Sequence, residues 1–233
     1  MLWDYFDKIY CISLREREDR REEAEARFRE VGLHGRVEFL IVEKHPEDCE
    51  QGIYESHMLC MVKGIHAGAR RILVFEDDIV FDRFSDKILE NSISFMENCP
   101  DWHMLFLGCM VRKSRKTDNP SVLKIRYRSL GHAYAIRREF AEKLVQIPWR
   151  KVPFDDFLRD MKDEHMYAVF PSFAFQSNSR SDNERYLPLD RIRRIFGGLM
   201  CLQKQNEFFQ RNRNLIIALH FVIIAVIAVK YFF

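Results

Sequence analysis

Short apolar runs alternate with longer charged stretches along the first half of this chain. The apolar runs are rich in Ile, Val, Leu and Phe, which is typical of buried strands, and the stretches between them carry apolar residues at helical spacing. This alternation predicts an α/β protein with a mainly parallel sheet covered by helices. The predicted strands are Lys8–Leu14, Val37–Val42, Arg71–Phe75 and Met104–Leu107, and the predicted helices are Glu18–Val31, Ser56–Ala69 and Phe84–Met96.

After Gly108 the alternation is less regular. The segment Lys113–Ser121 is polar and contains Asn119-Pro120, which predicts a mobile loop. Ser177–Arg185 is also polar and predicts a second loop. We expect further strands at Val122–Arg128, Ala133–Ile136 and Met166–Phe170, and further helices at Arg137–Gln146 and Phe154–Lys162.

The C-terminal pattern is different, because from Leu215 to Val229 only His220 is polar. As a helix, the stretch to Phe233 would be about 28 Å long, close to the thickness of a hydrocarbon core. We therefore predict a single-pass transmembrane helix. The alternatives are a buried C-terminal helix and an amphipathic surface helix, although the segment has no polar face.

Basic residues precede this apolar segment. Seven basic and three acidic residues lie between Glu184 and Arg213, which indicates either a juxtamembrane linker that favours anionic lipids or a solvated helix. Because Arg211 and Arg213 lie next to the span, we expect the main domain on the cytoplasmic side. The predicted organisation is a globular domain at 1–185, a basic juxtamembrane segment at 186–213 and a transmembrane tail at 214–233.

Charge and cysteine content exclude some classes of protein. The formal net charge of +2 argues against a nucleic-acid-binding protein that works by bulk attraction. None of the six cysteines forms a CxxC pair, so a zinc ribbon is not expected, and a reducing cytosol is the simpler compartment. The first ten residues have no basic region before an apolar core, so we expect no signal peptide.

Three adjacent carboxylates, Glu76, Asp77 and Asp78, follow the apolar strand that ends at Phe75. Buried carboxylates are costly without a positive partner, and a divalent cation with oxygen ligands would supply one. In open α/β sheets, ligands bind beyond the carboxyl ends of the strands. The triplet therefore predicts a metal and phosphate site. A solvated acidic turn is the alternative.

Five stretches of sequence together resemble glycosyltransferase family 25, which contains bacterial lipopolysaccharide glycosyltransferases and collagen galactosyltransferases. Each motif alone is weak, but their order is hard to obtain by chance. The resemblance covers roughly Lys8–Glu184. The stretches are IYCISLREREDRRE, GIYESHMLCMVKGIHAGARRILVFEDDIVF, LGHAYAIRREFAEKLV, VPFDDFL and YAVFPSFAFQSNSRSDNE.

The resemblance implies a GT-A-like, Rossmann-type fold that binds a nucleotide sugar, commonly UDP-galactose, with Mn²⁺ or Mg²⁺. On the family pattern Asp78 holds the metal, Glu76 contacts the metal or the donor ribose, and Asp77 supports them. Members are taken to invert the anomeric centre, which requires a base for the acceptor hydroxyl. Asp155 stands at the position of the family's late aspartate, and Asp156 is the adjacent rival. An N-cap of the following helix is the alternative for either.

Arg15 and Arg20 are expected to contact the diphosphate, and an ion pair with a helix acid is the alternative for each. His132 is expected to contact the donor, and a core histidine is the alternative.

In the Ser-His pair, we expect Ser56 to cap a helix and His57 to make structural hydrogen bonds. Gln176 and Asp182 flank a loop that could close over the donor, with an ordinary polar loop as the alternative.

The chain departs from the family pattern at three places near the expected nucleotide pocket. Ser13 replaces the usual Asn, Ile53 replaces a common Cys, and Glu43-Lys44-His45 replaces a Val-Asp-Gly turn. These departures leave the acidic triplet intact, but they bear on which donor is used.

The sequence thus predicts a membrane-anchored, metal-dependent hexosyltransferase. Its expected acceptor is a surface glycan, a lipid-linked lipopolysaccharide-type molecule or a protein hydroxyl, and no nucleic acid is expected as a partner. Two alternatives remain: a tail-anchored binding module that kept the fold and lost turnover, and a metal-dependent nucleotidyltransferase or hydrolase.

Overall fold

A computed structural model of the chain describes residues 2–177 and 197–232, with side chains described as far as residue 227. A short 3₁₀ turn, Leu2–Tyr5, precedes the first strand. The strands are β1 Lys8–Leu14, β2 Glu38–Val42, β3 Arg71–Glu76, β4 Ile79–Phe81, β5 Met104–Phe106, β6 Met110–Lys116, β7 Val122–Ser129, β8 Ala133–Arg137, β9 Met166–Val169 and β10 Ala174–Gln176. The helices are α1 Glu18–Glu30, α2 Cys49–His66, α3 Asp86–Glu97, α4 Arg138–Leu144, α5 Phe154–Asp160 and α6 Gly198–Phe232.

Eight strands form one sheet in the order β2-β1-β3-β8-β5-β9-β7-β6, and β4 pairs with β10 in a separate antiparallel ribbon. In the large sheet β2, β1, β3, β5, β9 and β6 run in one direction, whereas β8 and β7 run in the other. The carboxyl ends of β1, β2 and β3 therefore meet at one edge. The predicted α/β class with a mixed, mainly parallel sheet is confirmed.

The central strand β3 shows why this sheet is buried on both faces. Leu73 and Phe75 belong to the core on one face, and Ile72 and Val74 belong to the core on the other. All four side chains are fully buried. Because successive side chains of a strand point to opposite faces, a continuous apolar run is the pattern that a doubly covered strand requires.

The predicted start of the second helix, at Ser56, is wrong. Helix α2 begins at Cys49, because the Asp48 carboxylate caps it by accepting hydrogen bonds from the backbone of Glu50 (2.9 Å) and Gln51 (3.4 Å). Ser56 lies inside the helix, where its hydroxyl donates to the Gly52 carbonyl at 2.6 Å. A serine at a helical position can return its hydrogen bond to the preceding turn, so its presence alone does not mark a cap.

The predicted mobile loop Lys113–Ser121 is wrong in its first part. Strand β6 continues to Lys116 and pairs with β7, with register irregularities near Val111. Polar residues occur in this strand because it forms an edge of the sheet and one face is open to solvent. Strands β4 and β10 were not predicted, since three-residue strands carry too little periodic signal.

Helix α6 continues without interruption from the globular domain into the apolar segment. The part Gly198–Ile227 is long and apolar enough to cross a membrane, and none of its most apolar window is buried against the rest of the protein. For example, Phe221 is 69% exposed and Ile224 is 61% exposed. The alternative of a buried C-terminal helix is therefore wrong.

Candidate functional site

A cleft of about 830 Å³ lies at the carboxyl ends of β1, β2 and β3. One wall comes from α2 and includes Ile53 and His57, and the opposite wall comes from the β7–β8 loop and the start of α5. Leu199 and Leu202 of α6 line it as well. This is the position at which ligands bind in open α/β sheets. The carboxylates that line it are Glu43, Glu50, Glu76, Asp77, Asp78, Asp155 and Asp156.

The end of β3 fixes the acidic triplet at this cleft. Glu76 is the last residue of β3, and its backbone N–H donates to the His132 carbonyl at 2.9 Å. Asp77 and Asp78 form the turn into β4. From β10, the Gln176 amide Nε2 lies 3.3 Å from Glu76 Oε2 and 3.5 Å from Asp78 Oδ2. The neutral amide of Gln176 therefore bridges the two carboxylates. The sequence predicted only that Gln176 flanks a loop that could close over the donor.

The described surroundings of Glu76 and Asp78 disfavour the ionised forms of both carboxyl groups. Burial, reinforced by the charges of Asp155 and Asp77, raises the pKa of Glu76 to about 8. Burial and the charge of Glu76 raise the pKa of Asp78 to about 8 as well, and in both cases Arg20 opposes the shift. Because 30% of the Glu76 side chain is exposed, solvent or an ion in the cleft can reach it.

These two residues fit a divalent cation. Asp78 Oδ1 is buried and has no hydrogen-bond partner among the described residues, and an unpaired buried carboxylate oxygen is costly unless a cation binds it. Within residues 2–177 and 197–227, no group of three His, Cys, Asp or Glu side chains is close enough to form a complete protein cage. Mg²⁺ and similar ions commonly use one or two carboxylates and take their other ligands from water and substrate phosphates.

Asp77 has a different environment from its two neighbours. Its Oδ1 lies 3.3 Å from Arg20 Nη1, and both side chains are about nine-tenths buried. Burial raises the pKa of Asp77, whereas hydrogen bonds from Ser13 and Arg20 lower it. This buried ion pair joins α1 to the end of β3. Arg20 lines the cleft, as a diphosphate contact would, and it forms an ion pair with Asp77 at the end of β3.

Asp155 lies across the cleft in the first turn of α5. Its Oδ1 accepts hydrogen bonds from the Tyr127 hydroxyl and from the Gly131 N–H (2.9 Å), and its Oδ2 accepts one from the Leu130 N–H (2.8 Å). Burial raises the pKa of Tyr127 well above its usual range, so its hydroxyl keeps its proton and donates. Three donors hold the carboxylate, and Oδ2 keeps an open lone pair.

Asp156, the rival of Asp155, is paired with Arg159 of the same helix, and its side chain is 41% exposed. The alternative of a helix N-cap is wrong for both aspartates. The N-cap position is Pro153, and both carboxylates lie inside the first turn without a side-chain capping bond. The Asp155 carboxylate instead accepts hydrogen bonds from β7 and the β7–β8 loop.

His57, in the α2 wall of the cleft, makes hydrogen bonds within the protein. Its ring stacks on Phe154 at 3.9 Å between centroids, and its Nδ1 lies 3.1 Å from the Tyr134 hydroxyl. Its Nε2 is 3.4 Å from Glu76 Oε1. Burial lowers the pKa of His57 to about 3, so the ring is neutral at ordinary pH.

The structure does not bring two of the predicted site residues to the cleft. Arg15 pairs with Glu43, and about two-thirds of each side chain is exposed. His132 is fully buried in the core and does not line the cleft. Burial lowers its pKa to about 4, opposed by the backbone of Ala174 and Leu130, so it is a neutral core histidine.

Sequence reasoning missed several contributors. Tyr127, Leu130 and Gly131 hold Asp155. Leu130 and Gly131 open the family-like stretch LGHAYAIRREFAEKLV, but no role was predicted for them, and Tyr127 lies just before that stretch. The α6 residues of the cleft wall were expected in a linker or solvated helix. Asp182 lies outside the described residues. The family departures Ser13, Ile53 and residues 43–45 all line the cleft, as expected.

No protein-family profile matches the chain. It is 29% identical over 192 residues to human inactive glycosyltransferase 25 family member 3. This match covers 69% of the chain and 32% of the relative. The chain is 26% identical over 204 residues to mouse procollagen galactosyltransferase 2, and this match covers 72% of the chain and 32% of the relative. The chain thus spans about a third of the length of these relatives. They confirm the resemblance to glycosyltransferase family 25.

Among solved structures, the chain is similar to A197 from STIV. The TM-score is 0.47 at 11% sequence identity, and the match covers 73% of this chain and 85% of the other.

Proposed function

We propose that this chain is a metal-dependent glycosyltransferase that moves a hexose from a nucleotide sugar to a hydroxyl acceptor. The observation that carries the proposal is the placement of two partly buried, donor-poor carboxylates, Glu76 and Asp78, across one cleft from the firmly held carboxylate of Asp155. Similarity to procollagen galactosyltransferases supports hexosyl transfer and UDP-galactose as the first donor to test.

Glu76 and Asp78 would hold a divalent cation, Mn²⁺ or Mg²⁺, with Gln176 beside them. When bound, such an ion neutralises the charge that develops on a departing nucleoside diphosphate. The ends of β1 and β2 and the nearby Arg20 form the part of the cleft where the nucleotide would bind. Asp77 would keep Arg20 in place through their buried ion pair.

Asp155 would act as the general base. In an inverting transfer, the acceptor oxygen bonds to the anomeric carbon while the bond from that carbon to the phosphate oxygen breaks, and the acceptor proton must be taken up. The open lone pair on Oδ2 can take this proton, while the three hydrogen bonds from Tyr127, Leu130 and Gly131 fix the direction of the carboxylate. Orientation of this kind is itself a large part of catalysis.

The acceptor would be a glycan, lipid-linked or protein hydroxyl at a membrane surface. The exposed apolar half of α6 supports a single-pass anchor, which would concentrate the enzyme where such acceptors reside. Arg211 and Arg213 next to that half favour a cytoplasmic catalytic domain. Protease protection in sealed vesicles tests the orientation, since a domain on the outside would be digested without detergent.

The full chain in detergent micelles should be assayed with UDP-galactose, UDP-glucose and other nucleotide sugars, with Mn²⁺, Mg²⁺ or EDTA. We expect release of the nucleoside diphosphate with one donor, and its loss in EDTA. Release of the sugar 1-phosphate would indicate nucleotidyl transfer instead, because that reaction breaks the bond between the two phosphates. Nucleotide-sugar binding without any turnover would contradict the enzyme proposal.

A binding module without turnover is the second candidate. It is favoured by the similarity to a relative named inactive and by the departures at Ser13, Ile53 and residues 43–45, all of which line the cleft. The turnover assay above distinguishes the two, and calorimetric titration with UDP then tests whether a chain without turnover still binds the nucleotide.

A further inference from the structure

The ribbon of β4 and β10 carries part of the acidic site. Strand β4 begins directly after Asp78, and β10 ends at Gln176, whose amide bridges Glu76 and Asp78. The next residue, Ser177, donates its backbone N–H to the Asp78 carbonyl at 2.7 Å. The position of this ribbon therefore decides where the Asp78 carboxylate and the Gln176 amide lie.

The ribbon is short, with three residues in each strand and one antiparallel register. A two-stranded ribbon is marginally stable by itself and depends on what packs against it. One side is anchored in the core by buried residues such as Ile79 and Ala174. The other support comes from α6.

Three residues near the start of α6 contact the ribbon and its flanks. Gln203 Nε2 donates to the Ala174 carbonyl at 3.0 Å, at the start of β10. Lys204 Nζ lies 2.7 Å from the Asp82 carboxylate, directly after β4. Glu207 accepts from the Ser172 N–H at 3.1 Å and pairs with Arg83 at 3.3 Å.

Gln203 sits at the tightest point of this contact. It is 1% exposed, although most glutamines are on the surface. A β-carbon at Gly108 would come within 1.8 Å of the Ala174 carbonyl oxygen and 2.7 Å of Gln203 Nε2, so only glycine permits this approach. The Gln203 amide donates to the ribbon through Nε2, whereas its buried Oε1 has no hydrogen-bond partner among the described residues.

We propose that Gln203, Lys204 and Glu207 form a clamp through which α6 positions the β4–β10 ribbon and thereby Asp78 and Gln176. The helix that carries the apolar tail is on this view a built-in support of the acidic site, in addition to its role as a tether. Gln203 is a positioning residue, because it acts through β10. The consequence for metal binding rests on the proposed function.

The first test is hydrogen–deuterium exchange on the metal-free full chain in detergent micelles. Gln203→Met removes the buried donor, Lys204→Met removes the ion pair with Asp82, and Gln205→Met is the matched control, since Gln205 is exposed on the same turn. We expect exchange in peptides that cover 79–83 and 174–177 to rise about tenfold or more in the two clamp variants, with peptides of β1 and the control unchanged.

Unchanged exchange at 79–83 and 174–177 in both folded clamp variants would overturn the proposal. If Gln203→Met unfolds, exchange rises in every peptide, and Lys204→Met then decides, because it removes a partly exposed contact and leaves the buried amide.

The second test is the Mn²⁺ concentration that gives half of the maximal thermal stabilisation. We expect the clamp variants to need about tenfold more Mn²⁺ than the wild type or Gln205→Met, as is common when a residue that supports metal ligands is lost. Equal requirements would overturn the link to the metal site. A wild type that Mn²⁺ does not stabilise would contradict the proposed metal role, while exchange still decides the clamp.

Discussion

Two groups of carboxylates face the same cleft in opposite surroundings. Asp155 accepts three hydrogen bonds from one neighbouring loop and strand. Glu76 and Asp78 share one distant glutamine amide, and Asp78 Oδ1 has no partner among the described residues. The comparison teaches that burial alone does not define a role. A carboxylate with many donors is satisfied by the protein, whereas two adjacent carboxylates with few donors favour a proton or a cation.

The largest effect is expected from Asp78→Asn, which removes one charge of the donor-poor pair. Metal-dependent turnover should fall about 10³-fold or more, because several kcal/mol of charge stabilisation would be lost. The melting temperature without metal should not fall, since the buried charge itself is unfavourable. Assays of diphosphate release and thermal unfolding check both. The exposed Asp101→Asn is the control, and retained activity of Asp78→Asn would remove Asp78 from the metal role.

Asp155→Asn should lower both transfer and stability, whereas Asp78→Asn should lower turnover without lowering stability. Donor binding should persist, whereas transfer should fall about 10²- to 10⁴-fold because the base is lost. The free energy of unfolding should also fall by about 1–3 kcal/mol, since the N–H groups of Leu130 and Gly131 would face an amide that cannot accept all their hydrogen bonds.

The matched control for this variant is Asp156→Asn, which breaks only a partly exposed pair with Arg159 and should cost under about 1 kcal/mol. If Asp156→Asn abolished transfer and Asp155→Asn did not, the assignment of the base would be reversed.

A smaller effect is expected in the pH dependence of stability, to which the raised pKa values of Glu76 and Asp78 contribute. Glu76 and Asp78 have pKa values raised from 4.5 and 3.8 to about 8, so the metal-free folded state binds more protons than the unfolded state. Their contribution to stability is complete at low pH and is lost as pH rises towards 8. Between pH 7.5 and 8.5 the buried His57 and His132 are neutral in the folded state and almost fully neutral in the unfolded state, where their ordinary pKa is 6.5, so they add little slope.

We therefore expect the melting temperature without metal to decrease over this interval. The decrease should vanish in the double variant with Glu76→Gln and Asp78→Asn. A wild-type curve as flat as that of the double variant would contradict the raised pKa values.

The smallest effect is expected for Arg15→Ala. Its ion pair with Glu43 is largely exposed, and such pairs contribute under about 1 kcal/mol. Because Arg15 does not line the cleft, the apparent KM for the donor should stay within about twofold of the wild type. A large rise in KM would restore the predicted diphosphate contact and would mean that the loop after β1 moves when the donor binds.

The sequence predicted the order of strands and helices in the first half well, because long apolar runs and charged amphipathic stretches are local signals. Strand β1 was predicted with its observed limits, Lys8–Leu14. The start of α2 and the short strands β4 and β10 were not predicted, since a cap residue and a three-residue strand have little periodicity.

The sequence by itself determined which residues carry the charge: three carboxylates after a buried strand, a late aspartate pair and an apolar tail. Only the tertiary structure decided how they differ. Asp77 is paired with Arg20, and Asp155 is held by β7 and the β7–β8 loop. Among the described residues, Glu76 and Asp78 share the Gln176 amide, and Asp78 Oδ1 has no hydrogen-bond partner. These partners are distant along the chain, and a hydrogen bond or a desolvated charge depends on what packs beside a residue, which no local pattern encodes.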